Sequence, residues 1–231
     1  MKTIKQVTTE FLDAQRHRLK PGTLRGYEDT IRLFEGYLNG YAPNYLDKNE
    51  VAQLRRAQKN ADREFCDVFG PDKIGSSEIG EFLDYYMVRK VIGGKELMKT
   101  VGRVMRAFVK WMHEKGYMEE EDFEASELTV DELKDDLPLV EDLACVIFDY
   151  IENNPPGEKV RNERDSYFRV TRIAPGKLWL DDCMTGGKEI GPVQVSREIS
   201  AGCKEGWVIC LTLGMTKRGW RMLQVGNVYP R

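Results

Sequence analysis

Over the first half of the chain, apolar positions recur every three or four residues, the period of helices buried along one side. Residues 4–19 place Val7, Phe11, Leu12 and Leu19 at this spacing, with Pro21-Gly22 read as their end. Thr23 is the expected cap of a second helix, whose Leu24, Tyr27, Ile31, Phe34, Tyr37 and Leu38 share one face up to Asn39-Gly40. A third, polar helix is predicted from Asp47 or Asn49 to about Phe69, before Gly70-Pro71. Ser76 or Ser77 caps a fourth, which turns Ile79, Phe82, Leu83, Tyr86 and Val88 inward and stops at Gly93-Gly94. The fifth spans 95–115, with Leu97, Val101, Val104, Met105, Phe108, Val109 and Met112 inward and Gly116 at the left-handed cap position. This half is expected to be an all-α bundle of four or five helices.

The period then changes. A helix over 140–152 ends at Asn154-Pro155-Pro156-Gly157, and short runs rich in β-branched and aromatic residues follow at 167–173, 177–180, 192–196, 207–213 and 220–229. Pro175-Gly176, Gly186-Gly187, Gly202, Gly206, Gly214 and Gly219 punctuate them. Five short strands cannot form a two-sheet sandwich of normal size, so a small, strongly bent five-stranded barrel is expected, SH3-like or OB-like. The run 207–213 is apolar on both faces and reads as its central strand. The predicted fold class is α+β in two domains.

Charge sharpens the boundaries. Residues 1–118 hold 21 Lys+Arg against 16 Asp+Glu, a net of +5; residues 119–142 hold 12 acids and one lysine, a net of −11; residues 143–231 are +3. An acidic connector is therefore expected between a helical domain (1–118) and a helix-plus-barrel domain (143–231). Within it, Thr129-Val130-Asp131-Glu132 has the form of a capping box, predicting a short helix ended by Pro138. The overall net charge of −3 excludes a histone-like wrapper of nucleic acid, so any basic surface is local. No apolar run approaches the roughly 18 residues of a membrane span. The start lacks a secretory apolar region, and five scattered cysteines without a CxxC pair fit reduced thiols; a cytoplasmic chain is expected.

The sharpest candidate constellation is on the fifth helix. Lys99, Arg103, Arg106 and Lys110 recur at steps of four, three and four, one stripe of cations about 16 Å long at 1.5 Å rise per residue. No acidic residue lies between Glu96 and Glu114. Such a helix fits a DNA major groove, its cations meeting phosphates, although a solvated basic face has the same pattern. Lys20, Arg25 and Arg32, around the second helix, repeat the signal more weakly. Arg55, Arg56, Lys59 and Arg63 are interleaved with acids and are expected to form surface pairs.

The stretch from about Gln6 to Met118 resembles the N-terminal core-binding (SAM-like) domain of the tyrosine recombinases, the phage-integrase family. The residues carrying the likeness are Thr23-Leu24-Arg25-Gly26-Tyr27 with Ile31 and Phe34, then Ile79-Gly80-Glu81-Phe82-Leu83-Asp84-Tyr85-Tyr86, then Val104-Met105-Arg106-Ala107-Phe108-Val109-Lys110-Trp111 leading into Gly116-Tyr117-Met118. The resemblance implies that the second and last helices lie toward DNA grooves, and that Arg25, Arg32, Lys99, Arg103, Arg106 and Lys110 inherit the contacts. It also limits the expectation. That family cleaves strands with two arginines, a His-x-x-Arg box, a lysine and a nucleophilic tyrosine, whereas no histidine follows His113 here. Without cations assembled around a scissile phosphate, a tyrosine alone does not drive phosphoryl transfer.

Other signatures fail on spacing. Thr185-Gly186-Gly187-Lys188-Glu189 lacks the first glycine and the Ser/Thr of a phosphate loop and is read as a turn. Asp181-Asp182-Cys183 has no partner ligand at metal spacing. Cys203 and Cys210 read as buried small hydrophobes, His113 as a helix-end or packing residue, and His17 as surface. Residues 215–221 would form a hairpin tip, where Lys217, Arg218 and Arg221 beside Trp220, with Trp179 and Tyr229 near, offer stacking plus phosphate contacts; core tryptophans beneath a decorated turn are the plainer alternative. The expectation is a non-catalytic protein that binds double-stranded DNA, with a second nucleic-acid or protein partner at the barrel. No membrane, metal, cofactor or small-molecule substrate is implied. The competing class is a protein–protein adaptor, with the barrel as interaction module on a helical scaffold.

Overall fold

The computed structural model describes every residue except Met1, Ile92 and Gly187. The fold is α+β, helices followed by a five-stranded sheet. The chain divides into two compact units, one of Met1–Met87 with Glu96–Asp135, the other of Val88–Lys95 with Asp136–Arg231.

In the first unit, α1 (Ile4–Arg16) opens with a capping box in which the Gln6 amide donates to Thr3 Oγ1 and the Thr3 amide to Gln6 Oε1. α2 (Pro21–Tyr41) begins before the expected Thr23 cap. Pro21, read from the sequence as a stop, is instead its first residue, because the fixed φ suits that position and the missing N–H would be unpaired there anyway. α3 (Lys48–Ala61) has the Asp47/Glu50 capping box but ends early, since Asp62 takes a left-handed conformation (φ 49°); the helix predicted to reach Phe69 is split, and α4 (Phe65–Val68) is a separate turn. α5 (Ser76–Glu81) is capped at Gly75 rather than at a serine, its amide donating to Glu78 Oε2. A π-helical turn, Phe82–Tyr86, joins it to α6 (Met87–Lys90), of which all but Met87 belongs to the second unit. α7 (Lys95–Glu114) ends as predicted, with Gly116 at φ 70°.

The core is aromatic. Phe11, Phe34, Phe82 and Phe108 are fully buried, with centroid separations of 5.1 Å for Phe11–Phe108 and 5.0 Å for Phe34–Phe82, both edge-to-face. The acidic stretch is no free-standing connector. Residues 120–133 form α8 (Glu120–Leu133), which buries Ser126, Val130 and Leu133 and packs against α5. Thr129 caps nothing; it lies inside the helix and its hydroxyl donates to the Ala125 carbonyl. Seven acids crowd α8 without a base, yet its apolar stripe suffices to bind it to the core.

In the second unit, α9 (Leu137–Asn153) starts before the predicted 140, with Pro138 in its first turn instead of ending a helix. β1 (Arg161–Ala174), β2 (Lys177–Asp182), β3 (Ile190–Gln194), β4 (Val208–Thr216) and β5 (Gly219–Tyr229) overlap the five predicted runs, although β3 stops two residues short of the predicted 196. The sequence pattern did not disclose α10 (Arg197–Gly202), capped by Ser196 accepting from the Ile199 amide. The strand order is β1-β2-β3-β5-β4, and β4 also pairs with β1, so the sheet closes on itself. All pairings are antiparallel except β3 with β5. Because the sheet closes, every strand has two neighbours and no strand is central, so the expectation that 207–213 is the central strand does not hold. β4 pairs with β1 and β5; its Ile209, Leu211 and Leu213 fill the interior with Phe168, Val170, Leu178, Leu180 and Val193, and Cys210 on its other face is only half-buried.

Candidate nucleic-acid interface

α7 buries Met98, Val101, Val104, Met105, Phe108, Val109 and Met112 and leaves Lys99, Arg103, Arg106 and Lys110 exposed on the opposite side, as the spacing predicts. The stripe is more neutralised than its own sequence implies. Lys99 pairs with Glu96 at 2.8 Å and Lys110 with Glu114 at 3.9 Å, the two acids that bracket the stripe. Arg106 makes a two-pronged contact with Asp131 of α8, Nε to Oδ1 at 3.0 Å and Nη2 to Oδ2 at 3.1 Å, and Lys134 Nζ reaches the same carboxylate at 2.6 Å. That contact comes from an element 25 residues away, which α7 alone does not announce. Arg103, near the middle of the stripe, has no acidic partner among the described residues.

α2 comes alongside. A Cβ placed on Gly26 would lie 2.8 Å from Thr100 Cγ2, so only glycine permits so close an approach of α2 to α7. Arg25, next to Gly26, is exposed and carries no ion pair among the described residues; Lys20 is the exposed N-cap residue of α2. Arg32 is exposed but paired to Asp29 at 2.5 Å. Among the described residues, the unpaired cations of the predicted set are therefore Lys20, Arg25 and Arg103.

In the closed sheet, Lys217 and Arg218 form the exposed β4–β5 turn, while Trp220 and Arg221 are half-buried at the start of β5. The Trp220 ring packs on the sheet core and carries the Arg164 guanidinium 5.7 Å from its centroid. Trp179 is stacked more tightly by Arg172 at 3.8 Å and lies over Gly191, where a Cβ would meet its ring at 2.5 Å. Tyr229 is buried rather than available for stacking. Trp207 is a core residue, its Nε1 donating to Asp136 Oδ2 at 3.1 Å.

An open cleft of about 930 Å³ lies among Arg164, Ser166, Asp182, Lys188, Gly191 and Trp220. Burial raises the Asp182 carboxyl, but hydrogen bonds from Ser166 Oγ (2.6 Å), the Met184 amide (2.9 Å) and Thr185 Oγ1 (2.8 Å) and amide outweigh it and hold the group below the usual carboxylate range. Asp182 thus fixes the β2–β3 turn, the turn role its sequence neighbourhood predicts. Gly187, read as part of that turn, lies outside the described residues. No group of three or more metal-ligating side chains gathers among the described residues.

His113 stacks on Phe123 at 4.3 Å and sits 3.4 Å from Glu120. Cys66 and Cys203 are buried, which pushes the Cys203 thiol up to about 12, whereas Cys145 and Cys183 are exposed. No helix of the described residues is long and apolar enough to cross a membrane. No protein-family model, curated protein or solved structure gives a significant match to the chain.

Proposed function

We propose that the chain is a non-catalytic DNA-binding protein whose helical unit holds duplex DNA through α2 and α7, as the core-binding domain of the tyrosine recombinases does. The observation that carries this is the α7 face: four cations exposed along one side of a helix whose opposite side is core, with Arg103 unpaired among the described residues and Arg25 of α2 alongside. Phosphate contacts from such a stripe position DNA without reading sequence. The lack of a His-x-x-Arg box after His113 supports binding without strand cleavage. We also read the closed sheet as an OB-like rather than SH3-like barrel, which the order β1-β2-β3-β5-β4 and the parallel β3–β5 contact favour.

Arg103→Glu tests the reading. Removing one phosphate contact and adding a repulsive charge weakens duplex affinity by roughly tenfold at low salt, measured by fluorescence anisotropy. Unchanged affinity would instead favour the protein–protein adaptor.

A further inference from the structure

The β4–β5 turn does not stand alone. The segment entering β1 runs beside it, and a cavity of about 380 Å³ opens between the two, lined by Glu158, Lys159, Arg161, Asn162, Met215, Thr216 and Lys217. Lys159, Arg161 and Lys217 have no acidic partner among the described residues, and the one lining acid, Glu158, lies 4.0 Å from Arg218 outside the group. Three unpaired cations around one small cavity repel one another and are relieved by a bound anion. The backbone is bent to build this arrangement. Asn162 is held at φ 51°, and the pairing of β1 with β4 shifts register between Arg161 and Arg164. A bulge of this kind re-aims the side chains on either side of it. On one side it presents Arg161 to the cavity; on the other it sets Arg164 over Trp220, which is paired across the ladder to Met215, a cavity residue.

We infer that this end of the sheet binds single-stranded DNA, with a backbone phosphate seated among Lys159, Arg161 and Lys217 and a base stacked on Trp220. The charge asks for a phosphate, and the adjacent aromatic ring asks for an unstacked base, which a duplex does not offer. Arg164, loosely placed over the ring, swings off it to a neighbouring phosphate. The inference rests on the proposed function only in taking DNA rather than RNA as the nucleic acid. Lys159, Arg161 and Arg164 are additions to the sequence-derived set, because the bulge that gathers them is a tertiary feature.

The test is anisotropy of a labelled 15-nucleotide deoxythymidine strand with the full chain, beside a uridine strand of equal length and a duplex. The wild type binds the deoxythymidine strand. Lys159→Ala/Arg161→Ala/Lys217→Ala weakens that binding at least tenfold and makes log K against log salt shallower by about 0.7, the value for one phosphate no longer neutralised on a single strand. Trp220→Phe, which keeps the packing, weakens it several-fold and diminishes the tryptophan quenching, with an unchanged melting curve. Absence of binding at low salt, a triple variant within twofold of wild type, or tighter binding of the uridine strand overturns the inference. Arg103→Glu leaves single-strand binding intact while reducing duplex binding, so the two proposals fail separately.

Discussion

Asp131→Asn strengthens DNA binding if α7 is a duplex-binding face, because Asp131 is the carboxylate that occupies Arg106. Its two oxygens take both prongs of the guanidinium, and one of them also takes Lys134. The substitution keeps the side-chain shape and removes one negative charge. A unit charge about 8 Å from a bound phosphate repels it by roughly 0.5 kcal/mol in water and about 2 kcal/mol at an effective dielectric of 20. Arg106 is also released to contact phosphate without first breaking a half-exposed pair, itself worth about 0.2–1 kcal/mol. Together, after salt screening, a gain of about 1 kcal/mol or roughly fivefold in affinity is expected, with the salt slope steeper by about 0.9. Anisotropy titration of a 20-base-pair duplex at two salt concentrations reads both quantities. Affinity equal to or weaker than wild type would refute the reasoning, since it would mean that the negative charge of α8 is not felt by anything bound along α7.

Asp182→Ala removes the acceptor of four hydrogen bonds and leaves Ser166, Met184 and Thr185 donors unmatched, a loss of about 2–3 kcal/mol by urea denaturation. Because its folded pKa lies below the unfolded one, its contribution is fully present above the ordinary aspartate range and disappears as pH falls through the folded value; the variant lacks that component of acid destabilisation. In Gly102→Ala, the new Cβ meets Lys134 Cβ at 2.7 Å and Cα at 2.9 Å, so α7 and the chain at the end of α8 must separate, costing about 1–3 kcal/mol despite the better helix propensity of alanine; a stabilised variant would contradict this packing. Native-state titration with a chromogenic disulfide labels Cys145 and Cys183 in an early phase and Cys66 and Cys203 only on unfolding.

The elements with a strong period are legible in the sequence: α7 with its cap at Gly116, the second-helix core face, and all five strands. Punctuation is what misleads. Pro21 and Pro138 sit in first turns of helices, where proline is as well suited as it is after their ends, and a single chain does not distinguish the two. Asp62 breaks α3 with a left-handed residue that is neither glycine nor asparagine, the usual signals. Net charge hides the weak apolar stripe of α8, so residues that pack into a core have the sequence pattern of a solvated connector. For the candidate sites, the one-helix pattern locates the α7 cations but not Asp131. The hairpin residues Lys217 and Arg218 are visible in the sequence, whereas Lys159, Arg161 and Arg164 join them only through pairing of β1 with β4.

The central claim is tested most directly by duplex binding of the full chain against Lys99→Ala/Arg103→Ala/Arg106→Ala/Lys110→Ala, each titrated across a range of salt. The helical unit must be kept whole, since α8 packs within it and truncation after residue 118 would strip it away. The account predicts wild-type binding that weakens steeply with salt, and a variant that folds normally but binds with little of that affinity, its slope shallower by up to about 3.6 for four phosphates. Duplex binding by the variant with the wild-type slope would contradict it.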